Sequence, residues 1–134
     1  MGRQPVFLYV EDDPLSREIM EIMLQSLGYT QVTMLENSKD FMARIETLPS
    51  IPDVIFLDIH MKPLNGFEML ELLRQSPTFA VRTIIAVTAS VMNEEVDRLR
   101  AAGFNGTIGK PLDFEHFADL IARVLMGEKV WHIT

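Results

Sequence analysis

The chain has 134 residues, of which 48% are hydrophobic and 23% charged, a mixture that supports one compact domain able to fold without a partner. Its 19 acidic against 12 basic side chains give a formal charge of -7, which repels a phosphate backbone and argues against direct nucleic-acid binding. With no cysteine there is neither a disulfide framework nor a thiol nucleophile, and no apolar run is long enough to span a bilayer or form the core of a signal peptide, so the simplest reading is a cytoplasmic protein with no membrane partner.

Short apolar runs alternate with stretches of helical period, the pattern of strand-helix units around a parallel sheet. Val6 to Val10 is the first strand. The helix after it starts near Pro14, presents Leu15, Ile19, Ile22 and Met23 on one face and ends at Gly28, with Met20 and Met23 as core methionines. Gln31 to Glu36 is a weaker strand, leading through Asn37 or Ser38 into a helix with Phe41, Ile45 and Leu48 at core spacing, stopped by Pro49 and Pro52. Asp53 to Asp58 has the continuous apolar character of a strand buried on both faces, and a loop joins it to a helix from Gly66 to about Gln75. Thr83 to Thr88 is the fourth strand. Ser90 or Asn93 caps a helix bearing Met92, Val96 and Leu99, which Gly103 terminates. Gly106 to Gly109 forms a short fifth strand, and a last helix from about Leu112 to Leu125 carries Phe114, Phe117, Ile121 and Val124 on one stripe. The core of this single domain is expected over about 5–127, with 128–134 as a C-terminal tail and no effector domain after it.

In a doubly wound sheet, functional groups gather where strands end, at their carboxyl edge. Here the first strand ends in Glu11, Asp12 and Asp13, the third in Asp58, the fourth in Thr88, and the fifth runs into Lys110 and Pro111. Clustered carboxylates repel one another and need a cation, and oxygen-only ligands point to Mg2+. Asp12 and Asp58 suit direct ligation. Glu11 reaches the metal through water, and Asp13 serves as a helix cap. A carboxylate so placed can attack phosphorus in line and form an acyl phosphate, with the Lys110 ammonium and the Thr88 hydroxyl stabilising the transferred group.

The segments LYVEDDP, DVIFLDIHMKPLNGFE, IIAVTAS and GKP, in this order and spacing, resemble the signature segments of the receiver domain of two-component response regulators, and the resemblance covers essentially the whole chain. It implies a flavodoxin-like fold: a five-stranded parallel sheet of order 2-1-3-4-5 with five helices. It also implies phosphorylation at Asp58, a metal shell of Glu11, Asp12, Asp58 and the backbone carbonyl of His60, a switch hydroxyl on Thr88 with Ala89 beside it, and the lysine Lys110. The implied partners are a sensor histidine kinase or a histidine phosphotransfer protein and a downstream protein target. Such a module catalyses only its own phosphorylation and dephosphorylation, and is not otherwise an enzyme.

The sequence departs from the family pattern at three places. Lys62 stands where the family usually has proline, with Pro63 one position later, although Gly66 keeps its distance from Asp58, so the loop is expected to close normally. Thr107 replaces the aromatic residue common on the fifth strand. His60 and Ser90 occupy the positions two beyond Asp58 and Thr88, which tune the lifetime of the acyl phosphate. Two alternatives belong to other classes: a phosphorylation-independent interaction module, and a hydrolase with an aspartyl nucleophile. Haloacid-dehalogenase-like enzymes carry a second aspartate two positions after the nucleophile, where this chain has His60, and the length leaves no room for a cap domain.

Overall fold

The computed structural model describes residues 4–89 and 92–132. Its elements are β1 (Phe7–Val10), α1 (Pro14–Ser26), β2 (Val32–Leu35), α2 (Phe41–Glu46), β3 (Val54–Asp58), α3 (Gly66–Gln75), β4 (Thr83–Thr88), α4 (Asn93–Ala102), β5 (Gly106–Gly109), α5 (Phe114–Leu125) and β6 (Val130–His132). All strands pair in parallel, in the order β2-β1-β3-β4-β5-β6. The expected flavodoxin-like sheet is present, widened by a sixth strand at the β5 edge. No helix of the described residues is long and apolar enough to cross a membrane.

The two faces of the sheet carry separate cores. Leu8, Val10, Ile55, Leu57, Ile84 and Ala86 point towards α2, α3 and α4, meeting Phe41, Ile45, Met69, Leu73 and Leu99. Phe7, Tyr9, Phe56, Ile85, Val87 and Ile108 point the other way, against Met20, Met23 and Leu24 of α1 and Phe117, Ile121 and Val124 of α5. The period of two along each strand therefore feeds both layers, which is why β1 and β3 read as unbroken apolar runs.

Several local expectations shift. On α1 the buried stripe is Met20, Met23 and Leu24, while Leu15 and Ile22 are exposed. This helix is apolar on more than one face, and only the sheet decides which stripe is covered. The chain passes through Asn37 and Ser38 into α2, as the sequence implies. Asp40 precedes it in a left-handed conformation, Asn37 Oδ1 accepts the Lys39 N–H at 3.0 Å, and the buried Ser38 hydroxyl donates to the Leu64 carbonyl at 2.7 Å. Asn93 is the first helical residue of α4, whose N-cap position is Met92 without a side-chain cap bond; Ser90 lies outside the described residues. Glu94 and Glu95 in the first turn complement that helix end. Asp113, through Oδ1 to the Glu115 N–H at 2.9 Å, starts α5 two residues later than expected and leaves Phe114 exposed.

Residues expected to form a tail supply β6. Val130 pairs with Gly106 and is buried, Trp131 pairs with Thr107, and the Arg100 guanidinium lies 4.7 Å from the centre of the Trp131 ring. A Cβ on Gly106 would stand 2.3 Å from the Val130 carbonyl oxygen, so the close approach of β6 requires a residue without a side chain.

Candidate functional site

Sheet order brings the chemistry together. The chain runs outward from β1 to β2 and then returns to the other side of β1 to lay down β3, so the sheet has its switch point between β1 and β3, where adjacent carboxyl ends leave a crevice. Val10 pairs with Leu57, which sets Glu11 and Asp58 at the same level on neighbouring strands. Thr88 pairs with Gly109, and the Lys110 N–H donates to the Thr88 carbonyl at 2.9 Å, carrying Lys110 to the same edge.

Lys110 ties the site together. Its Nζ lies 2.9 Å from Glu11 Oε1 and 2.9 Å from Asp58 Oδ2, and both carboxylates are almost wholly buried. Asp58 Oδ1 also accepts the His60 N–H at 2.9 Å. Glu11 Oε1 accepts the Tyr9 hydroxyl at 2.7 Å, while Oε2 accepts the Asp13 N–H at 3.1 Å. Burial opposes ionisation of Glu11, but hydrogen bonds from Lys110 and Tyr9 outweigh it and hold the carboxyl below its usual range. Burial and the neighbouring Glu11 push Asp58 up. Burial also opposes a charge on Lys110, yet the two carboxylates prevail and raise its pKa. The Tyr9 phenol is raised by burial and by Glu11, so it remains a donor.

Asp12 is exposed at the rim. One oxygen from each of Glu11, Asp12 and Asp58 lies within 4.8 Å of the others, an all-oxygen set suited to a hard divalent cation and containing no histidine. Asp13 faces away and caps α1, its Oδ2 accepting from the Ser16 N–H at 3.2 Å, as the sequence implies. Thr88 is buried at the end of β4 with Ala89 beside it; Thr107 is also buried, one strand over, its hydroxyl donating to the Ala86 carbonyl at 3.1 Å. The loop after Asp58 closes with Gly66 N–H on the Ile59 carbonyl at 3.0 Å, and a Cβ on Gly66 would meet Ile59 Cα at 2.9 Å. His60 is exposed beside Asp58. Tyr9 is the one residue of this constellation that sequence reasoning passed over. The available signal was a phenol in an otherwise apolar central strand, since a buried hydroxyl needs a partner.

A doubly wound parallel sheet with an acidic, lysine-bridged crevice at its switch point defines the flavodoxin-like class of α/β domains. Within that class the chain belongs to the response regulator receiver domain family, whose model matches residues 7–122. Phosphorylation-based switching is the role of that family, and its members are signalling modules rather than turnover enzymes. The chain is 31% identical over 106 residues to an uncharacterized 14.6 kDa protein in the sodA1 3' region of Leptolyngbya boryana, with 79% of each chain covered. It is 30% identical over 122 residues to stress response regulator protein 1 of Meyerozyma guilliermondii, covering 89% of this chain but 56% of that relative. Among solved structures, the receiver domain of the sensor histidine kinase PA1611 from Pseudomonas aeruginosa, which has a magnesium ion coordinated in its active-site cleft, superposes with a TM-score of 0.76 at 26% identity, covering 90% of this chain and 97% of that one.

Proposed function

We propose that this receiver domain accepts a phosphoryl group on Asp58 from a histidine kinase or histidine phosphotransfer protein and passes the resulting change to a downstream protein. The observation that carries this reading is the Lys110 ammonium set 2.9 Å from both Glu11 and Asp58 at the switch point, a positive charge beside a buried nucleophilic carboxylate. An Asp58 oxygen forms a bond to phosphorus as the bond from phosphorus to the donor's imidazole nitrogen breaks, and the electron pair stays on that nitrogen. Lys110 meets the negative phosphoryl oxygens, and Thr88, with the Ala89 backbone, offers further hydrogen bonds. Asp12 and Asp58 would hold Mg2+ directly, with the His60 carbonyl and with Glu11 acting through water. Bound there, the ion would offset the carboxylate charges and those of the incoming phosphoryl group. Such chemistry belongs in the cytoplasm, with the kinase.

The test is covalent. Incubation with a small acyl phosphate and Mg2+ is expected to add one phosphoryl group by mass spectrometry, and Asp58→Asn to abolish the addition. Labelling of the variant at another aspartate would overturn the assignment.

A further inference from the structure

We propose that the Tyr9 hydroxyl is a positioning group that holds the buried Glu11 carboxylate and so frees Lys110 for the phosphoryl group on Asp58. The inference rests on the reading of Asp58 and Lys110 given above. Tyr9 lies on β1 with its side chain in the α1/α5 core, its ring edge-on to Phe56 at 6.2 Å between centres. A phenylalanine would fill that volume equally well. Only the hydroxyl is left for packing not to explain, and it donates at 2.7 Å to Glu11 Oε1.

That oxygen is also the one Lys110 uses. Glu11 is fully buried, and its Oε1 has two donors, Tyr9 and the Lys110 ammonium, while Lys110 divides itself between Glu11 and Asp58 at 2.9 Å each. A phosphoryl group on Asp58 adds oxygens that compete for the ammonium. For Lys110 to turn to them it must loosen its hold on Glu11, and a buried carboxylate stripped of its donor is costly. Tyr9 stays on the same oxygen throughout. It lowers the cost of redirecting Lys110 without touching the reacting atoms.

Isothermal titration of the full chain with Mg2+ alone, and with beryllofluoride in saturating Mg2+, tests this directly. Tyr9→Phe keeps the ring and is expected to weaken the beryllofluoride complex about tenfold, and Mg2+ binding by a clearly smaller factor. In a Lys110→Ala background the same substitution is expected to change beryllofluoride affinity less than about twofold, because there is no ammonium to release. Equal losses for the two ligands in the single variant, or no loss of beryllofluoride affinity, would reject the positioning role. So would an undiminished effect in the Lys110→Ala background. Should the double variant fail to fold by circular dichroism, the split between ligands in Tyr9→Phe decides alone. A wild-type chain that binds neither ligand would instead remove the site reading on which the role depends.

Discussion

Three consecutive acidic residues after β1 have three different environments, and composition alone makes them equivalent. Glu11 is buried and bonded to Tyr9, Lys110 and the Asp13 backbone; Asp12 is exposed with an oxygen within 4.8 Å of Glu11 and Asp58; Asp13 binds Ser16 at the start of α1. Substitutions should therefore separate metal affinity from stability. Asp12→Ala is expected to weaken Mg2+ binding at least about tenfold, since the proposed reading makes its carboxylate a direct ligand. Asp13→Ala is expected to lower folding stability, as loss of an N-cap does, and to leave Mg2+ affinity nearly intact. The contact from Asp13 to Glu11 is made by the backbone N–H and survives that change. Calorimetric Mg2+ titration and urea unfolding of both variants check the pair, and equal metal losses would place the ligand set one residue away from where it is drawn.

At the scale of elements, β6 is where tertiary context adds most. Three residues reading Val-Trp-His carry no strand signal of their own beyond β-propensity, and they pair only because β5 offers an open edge and Gly106 admits the Val130 backbone. Gly106→Ala is expected to cost about 1–3 kcal/mol, the usual penalty for an added methyl in a packed site, with β6 displaced. Loss of hydrogen-exchange protection at residues 130–132 and a changed Trp131 emission would report it; full protection at unchanged stability would refute the steric argument. The same contrast explains what was legible in the sequence. β3 through Asp58, α3 from Gly66 and β4 through Thr88 could be read directly, because buried parallel strands are apolar on both faces and their ends carry the chemistry. The covered stripe of α1 could not, since Leu15 and Ile22 are as apolar as Met20 and Leu24 and only the sheet chooses between them. Nor could the Tyr9 to Glu11 to Lys110 chain, whose last link spans 99 positions.

Across the whole molecule, the proposed phosphoryl group on Asp58 can reach distant surface only through elements joined to the site, and β4 and β5 are joined by their ladder and, near the site, by two further hydrogen bonds. Lys110 N–H holds the Thr88 carbonyl at 2.9 Å, and the buried Thr107 hydroxyl holds the Ala86 carbonyl at 3.1 Å. Inward movement of Thr88 towards phosphoryl oxygens would vacate space at the end of β4. Thr107 is small and already bonded to β4, so it has little shape to contribute, and the larger response is expected at Ala89 and Asn93, on either side of residues 90–91, which lie outside the described residues. From α4 the path continues to Arg100, whose guanidinium lies 4.7 Å from the Trp131 ring centre on β6. Beryllofluoride with Mg2+ is therefore expected to shift amide resonances from Ala89 to Gly109, weakly at Thr107 and strongly before α4, and to move the Trp131 indole resonance as well. Arg100→Ala should remove the indole response while sparing the rest, because it cuts only the last contact. Shifts confined to the acidic crevice, with Ala89 to Gly109 undisturbed, would mean that the proposed phosphoryl site is not coupled to this face.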